Sequence, residues 1–235
     1  MSEGAPLPSG LLLADKPAGW TSHDVVAALR RRLPKGVKVG HAGTLDPRAT
    51  GLLVLLVGRA TREASALLGL PKSYEGSIRL GVETDTGDLD GRVLKESPLP
   101  PSLGEEALRE AFAKHTGEVE LAIPSYSAVK HQGRPLYEYA RRGVAVPERL
   151  RRSRIERFDL LAWAPPEASF RLACSSGTYV RAAAESVGRL LGCGATLSAL
   201  RRTSVGFYLL EGARPVPELL SLDLPALAGR LLTPP

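Results

Sequence analysis

Asp46 is the residue in this chain best placed to do chemistry. It lies in the run Gly40-His41-Ala42-Gly43-Thr44-Leu45-Asp46-Pro47, and the apolar stretch from Leu52 to Val57 follows soon after. Glycines on one side and a proline on the other make a tight loop, and the apolar stretch reads as a buried strand. A single acid is thereby fixed at the mouth of a core. Two readings of it stand side by side. An Asp-Pro pair often starts a turn, with the carboxylate capping backbone amides. A rigidly held carboxylate also serves as a nucleophile or general base. Spacing alone does not choose between them.

No metal or cofactor chemistry is signalled. Cys174 and Cys193 are the only cysteines; they form no Cys-x-x-Cys pair, and no histidine stands at ligand spacing from either. There is no phosphate-binding Gly-x-x-x-x-Gly-Lys loop. Gly192-Cys193-Gly194 lacks the third glycine of a dinucleotide fingerprint. The expected cofactor set is therefore none, and the expected metal set is none.

Composition points to an anionic partner. The formal net charge is +6 and the pI about 9.5, which suits nucleic acid. The cations are 24 arginines and 7 lysines; arginine favours bidentate phosphate contacts and stacking, although a GC-rich genome also supplies it. The clearest cluster is 125–157, with nine Lys/Arg against three Glu and with Tyr126, Tyr137 and Tyr139 interleaved. Basic charge mixed with aromatics is the composition of an RNA surface. Lys130, Arg141, Arg142, Arg149, Arg151 and Arg152 are its candidate backbone contacts. The alternative is an ordinary solvated face. The N-terminus shows no leader pattern, and Leu11-Leu12-Leu13 is too short for a membrane span, so the expected location is cytoplasmic with no membrane partner.

The elements that must position these groups follow from periodicity. Residues 11–14 read as a buried strand. Thr21 with Asp24 reads as a capping box, opening a helix whose Val25, Val26, Leu29 and Leu33 share a face. A helix is predicted over 59–69. Tyr74, Gly76, Ile78 and Leu80 alternate with Glu75, Ser77 and Arg79 as a half-buried strand. A polar turn covers 84–91, with Asp85 either in a site or capping that turn. Ser102 to Glu105 is predicted to cap a helix carrying Leu108, Ala111 and Phe112 inward. Phe170, Leu172 and Cys174 mark another strand. The Ser175–Thr178 turn is predicted to cap a helix from Tyr179 to about Leu191, which stops at Gly192 and Gly194. Strands and helices mix without strict alternation, so the fold class is α+β with a mixed, largely antiparallel sheet flanked by helices.

Taken together, the motifs resemble one family, the TruB pseudouridine synthases. Gly43-Thr44-Leu45-Asp46-Pro47 resembles its catalytic motif. Asp15-Lys16-Pro17-Ala18-Gly19-Trp20-Thr21-Ser22 resembles its N-terminal motif. Further blocks follow in order: Lys72-Ser73-Tyr74-Glu75, Leu80 to Asp88, Ser125-Tyr126-Ser127-Ala128-Val129-Lys130, Cys174 to Arg181, and Leu197 to Thr203 with Gly206-Phe207. The resemblance covers roughly residues 10–212. It departs at Ser176, where the family commonly has Lys, and at Ile123-Pro124, in place of a frequent Pro-Pro.

The resemblance implies a base-flipping isomerase that makes pseudouridine from the T-loop uridine 55 of tRNA. It implies Asp46 as the catalytic nucleophile and Arg181 as the arginine that pairs with it and orients its carboxylate. Tyr74 resembles the tyrosine that stacks on the target uracil; its competing reading is a core aromatic. Tyr179 and Leu200 resemble further pocket residues, and His41 the histidine that stacks where the flipped base was. The implied partner is the tRNA T-arm stem-loop, with no guide RNA and no obligate protein partner. The implied layout is a catalytic domain over 1–214, with an RNA-gripping insertion at about 125–153. A short tail over 215–235 is too small for the family's complete C-terminal PUA domain. Two other functions stay in view: a non-catalytic tRNA-binding or tRNA-folding protein, against which Asp46, Tyr74 and Arg181 argue, and a synthase acting on rRNA or with a guide RNA.

Overall fold

The computed structural model describes residues 8–234. Among the described residues two compact units divide the chain: one takes in residues up to 73 together with those from 201 on, the other residues 74–200. Two strands run from one unit into the other, so the chain crosses twice.

The first unit starts with β1 (Gly10–Lys16), α1 (Ser22–Arg32), β2 (Val39–His41) and β3 (Thr50–Val57). A 3-10 turn over 58–63 and α2 (Ala64–Gly69) follow. The single helix predicted over 59–69 is thus two pieces, the tighter one leaving the strand at Gly58 (φ +63°). β1 and β3 are antiparallel from Gly10–Val57 to Lys16–Gly51, and β2 lies antiparallel to β3. Both long strands are apolar almost throughout for one physical reason: each face is covered. Leu12, Leu53 and Leu55 face α1 with Val25, Val26 and Leu29, whereas Leu11, Leu52, Val54 and Leu56 face Ala60, Leu67, Val205 and Tyr208. A strand covered on both sides loses the polar alternation of a half-buried one. The α1 cap is as predicted, since Asp24 N donates to Thr21 Oγ1 and Thr21 N to Asp24 Oδ2.

The second unit is entered through β4 (Lys72–Leu80). It then holds β5 (Val82–Thr84), β6 (Val93–Glu96), α3 (Glu105–Lys114), β7 (Gly117–Ala122), β8 (Lys130–His131), β9 (Arg134–Pro135), α4 (Leu136–Arg141), β10 (Leu150–Ala164), β11 (Glu167–Cys174) and α5 (Val180–Leu190). β12 (Ala195–Val205) leads back to the first unit. There β13 (Tyr208–Leu209), β14 (Arg214–Pro215), α6 (Val216–Ser221) and α7 (Leu224–Ala228) complete the chain. In the second unit β12, β4, β11, β10 and β7 are neighbours in that order. In the first unit β14 and β12 are parallel to β1 and β3 respectively. The observed pairings are mixed and mostly antiparallel, the α+β arrangement expected. Phe112 of α3 stacks on Phe158 of β10 at 4.1 Å, and Phe158 meets Phe170 of β11 edge-on at 5.4 Å.

Two caps differ from expectation. α3 is capped by Gly104, not Ser102, and α5 by Tyr179; neither has a side-chain cap bond. Thr178 Oγ1 instead donates to Ser175 O inside its own turn, so the hydroxyl closes the turn and is spent there. The residues expected as a tail, 215–235, hold α6 and α7, whose Val216, Leu219 and Leu227 are buried in the first unit's core.

Gly51 is the tightest point of β3. Its φ is +96°, and a Cβ there would meet the Arg202 backbone N at 2.7 Å. Gly51→Ala is expected to lower unfolding free energy by about 2–4 kcal/mol, from backbone strain plus the clash. Urea denaturation at constant m-value checks this.

Candidate functional site

The Asp46 loop joins β2 to β3 within the first unit, and three buried polar side chains hold it. Lys16 closes β1 with no exposed surface. Its ammonium donates to Trp20 O at 2.6 Å, Pro17 O at 2.8 Å and Pro47 O at 3.1 Å. Three donors meet three carbonyls, so the head group is saturated. Ser22 binds Leu45 in both directions: Leu45 N donates to Ser22 Oγ at 2.8 Å, and Ser22 Oγ donates to Leu45 O at 3.2 Å. Arg202, 1 % exposed, donates Nε to Leu52 O at 2.7 Å and Nη2 to Gly43 O at 3.0 Å. Gly43 itself has φ +105°. Asp46 is half-buried between these anchors, and Ala49 N closes its turn on Asp46 O at 3.1 Å. This loop is pinned before, at and after the acid.

Electrostatics follow from the same burial. Burial lowers the Lys16 ammonium from its usual 10.5 to about 8, while the Asp46 charge pulls it back up. His41 is half-buried at the end of β2, and its Nδ1 is buried with no hydrogen-bond partner. Burial, then the Arg202 charge, holds His41 below the ordinary histidine range, so the ring is neutral at neutral pH.

In the second unit, Arg181 lies in the first turn of α5 and is only 6 % exposed. It is not a helix-surface arginine. It donates to Thr86 O and, at 3.0 Å, to Tyr126 O, and Asp88 Oδ2 stands 3.8 Å from its Nε. Tyr179 caps the same helix and is half-buried. Tyr74 is buried on β4, and Leu200 is half-buried on β12, the strand beside β4. Asp85 accepts from Arg92 N at 2.8 Å and so caps its turn. Ser176 is half-buried in the turn before α5.

The six basic candidates are all exposed. Arg141 lies over the Tyr137 ring at 5.3 Å, Arg149 donates to Lys130 O at 3.3 Å, and Arg152 pairs with Glu120 at 3.2 Å. Arg151 packs its guanidinium where a side chain on Gly177 would sit. Lys130 lies in the short β8–β9 hairpin, and Arg142 ends α4. Among the described residues no group of three or more His, Cys, Asp or Glu is placed to hold a metal. No helix among them is long and apolar enough to cross a membrane.

Residues 30–180 match the TruB family pseudouridylate synthase N-terminal domain. This chain belongs to the TruB family. It is 48 % identical to the tRNA pseudouridine synthase B of Opitutus terrae, over 95 % of this chain and 92 % of that protein. It is 45 % identical to that of an Azoarcus species, over 96 % of this chain and 74 % of that one. Among solved structures, a Cbf5-Nop10-Gar1 complex superposes with TM-score 0.71 at 26 % identity, over 95 % of this chain and 60 % of that one. An H/ACA RNP bound to a substrate RNA containing 2'-deoxyuridine gives 0.66 at 27 %, over 90 % and 52 %.

Sequence reading missed Lys16, Ser22 and Arg202 as anchors. The available signal was a cation ending an apolar strand, as at Lys16, since such a group must find acceptors; Arg202 lies among polar residues of β12 and carries no such signal. Lys16→Met is expected to cost about 1–3 kcal/mol at neutral pH by orphaning three carbonyls. Between pH 8 and 10.5 the unfolded chain keeps the Lys16 proton that the folded chain has released. Wild-type stability therefore climbs with pH in that window relative to Lys16→Met. Paired urea titrations across this range measure the difference.

Proposed function

We propose that this protein isomerises uridine 55 in the T-loop of tRNA to pseudouridine, with Asp46 as its catalytic carboxylate. The glycosidic bond is broken, the uracil turns, and the ring is rejoined to the sugar through C5. Nothing is oxidised and no group is lost, so a carboxylate can serve as nucleophile or as base at the sugar. The carrying observation is the pinned Asp46 loop, in a chain whose relatives bear the name tRNA pseudouridine synthase B.

The other roles rest on the family motif. Arg181 is the partner that orients the carboxylate. Tyr74 stacks on the uracil, with Tyr179 and Leu200 as pocket walls. His41 fills the gap left by the flipped base, and its neutral ring suits stacking in an RNA loop. Flipping costs a few kcal/mol, which these interactions offset. The exposed cations Lys130, Arg141, Arg142, Arg149, Arg151 and Arg152 follow the T-arm backbone, and the enzyme needs neither guide RNA nor an obligate protein partner. That last point is supported by identity: 43–48 % to proteins named for tRNA, against 26–27 % to the ribonucleoprotein components.

A T-arm hairpin tritiated at uracil C5 is expected to release tritium with wild type and no added cofactor. Asp46→Asn is expected to release none while binding the hairpin within a few fold; substantial product from that variant ends the assignment. Neutralising Arg149, Arg151 and Arg152 together is expected to weaken binding. The slope of log affinity against log salt is expected to flatten by about one unit for each phosphate no longer neutralised. Filter binding across a salt series reads it, and an unchanged slope returns the cluster to solvent.

A further inference from the structure

Glu185 stands one helical turn beyond Arg181 on α5. Its carboxylate fills the space that a side chain on Gly87 would need. A Cβ built on Gly87 runs into Glu185 Oε1 and lies 3.1 Å from its Cδ and 3.3 Å from Arg181 Cβ. Residues 181 and 185 therefore close together on Gly87 from the helix side. β12 holds the turn from the other side. Leu197 N donates to Gly87 O at 2.9 Å, Thr84 Oγ1 donates to Asp88 O at 2.7 Å, and the Thr84 hydroxyl meets that of Thr196 at 2.9 Å. This clamped turn carries the Thr86 carbonyl and the Asp88 carboxylate that face the Arg181 guanidinium.

We propose that Glu185 is a positioning residue for Arg181: wedged against Gly87, it fixes the 84–88 turn on the guanidinium and adds a second negative charge beside it. The inference deepens the assignment of Arg181 made above and rests on it. The charged groups facing Glu185 are Arg181 and Arg189 on its own helix, Glu83 on β5 and Asp88 in the turn. Asp85, Glu148 and Arg149 share with it a cavity of about 430 Å³, and Lys95 a second cavity of about 360 Å³. Burial first, then Glu83 and Asp88, raises the Glu185 carboxyl above the ordinary carboxylate range, while Arg181 and Arg189 oppose that shift. The wedge therefore loses its charge at a higher pH than an exposed glutamate does.

The test is kcat and KM for pseudouridine formation on the T-arm hairpin, followed against pH. Glu185→Gln keeps the shape and removes the charge. It is expected to lower kcat about tenfold above neutral pH with KM unchanged. The gap is expected to close as pH falls, because wild-type Glu185 becomes neutral too. Glu185→Asp keeps the charge but withdraws it from Gly87; an intermediate kcat with the pH step retained is expected. Wild-type kcat and pH profile in Glu185→Gln would overturn the proposal, and so would wild-type kcat in Glu185→Asp should the Gln variant fail to fold. Arg181→Lys is the control: full activity there would sink the Arg181 assignment itself, whatever Glu185 does.

Discussion

Two buried cations and the carbonyls that surround them are what the Asp46 loop depends on. Lys16 and Arg202 are withdrawn from water, and backbone oxygens accept hydrogen bonds from both head groups. An unsatisfied ammonium or guanidinium at these depths costs several kcal/mol. The observed backbone path presents Pro17, Trp20 and Pro47 oxygens to Lys16, and Gly43 and Leu52 oxygens to Arg202. A path that moved them would orphan the charges, so the loop is held in place by the cost of the alternatives. For the catalytic role proposed for Asp46, such rigidity removes the need for reorganisation at the moment of reaction.

The same logic runs through the second unit at a helix terminus. Arg181 is a cation buried at a helix start, where the helix dipole does not favour it. Thr86 and Tyr126 carbonyls and the Asp88 carboxylate supply what the dipole withholds. Glu185 enters that arrangement through Gly87, whose missing side chain makes the approach possible. At φ +74° Gly87 also adopts a backbone that other residues rarely take. The basic surface obeys a different rule. Its arginines are exposed and held by weak interactions such as Arg152 with Glu120, so they can change partner at little cost.

Several elements are legible in the sequence because their cause is local. The Thr21–Asp24 capping box, the alternation of Tyr74, Ile78 and Leu80, and the inward Leu108, Ala111 and Phe112 each follow from neighbours in sequence. The caps of α3 and α5 are harder to read, because a serine or threonine hydroxyl has competing acceptors in its own turn, as Thr178 shows. The break at 58–64 is hidden because a 3-10 turn and an α-helix share nearly the same apolar spacing.

The sequence by itself determined the acid and its motif, the cation-rich segment, and the family, since each is a matter of residue type and order. Tertiary structure alone decided which cations are anchors and which lie exposed. Lys16 and Arg202 read as ordinary charges until β1, β3 and β12 bury them, and Glu185 as a solvated helix residue until Gly87 is folded against it. The reason is physical: the cost of a charge is set by the dielectric and the acceptors around it, and distant parts of the chain supply both.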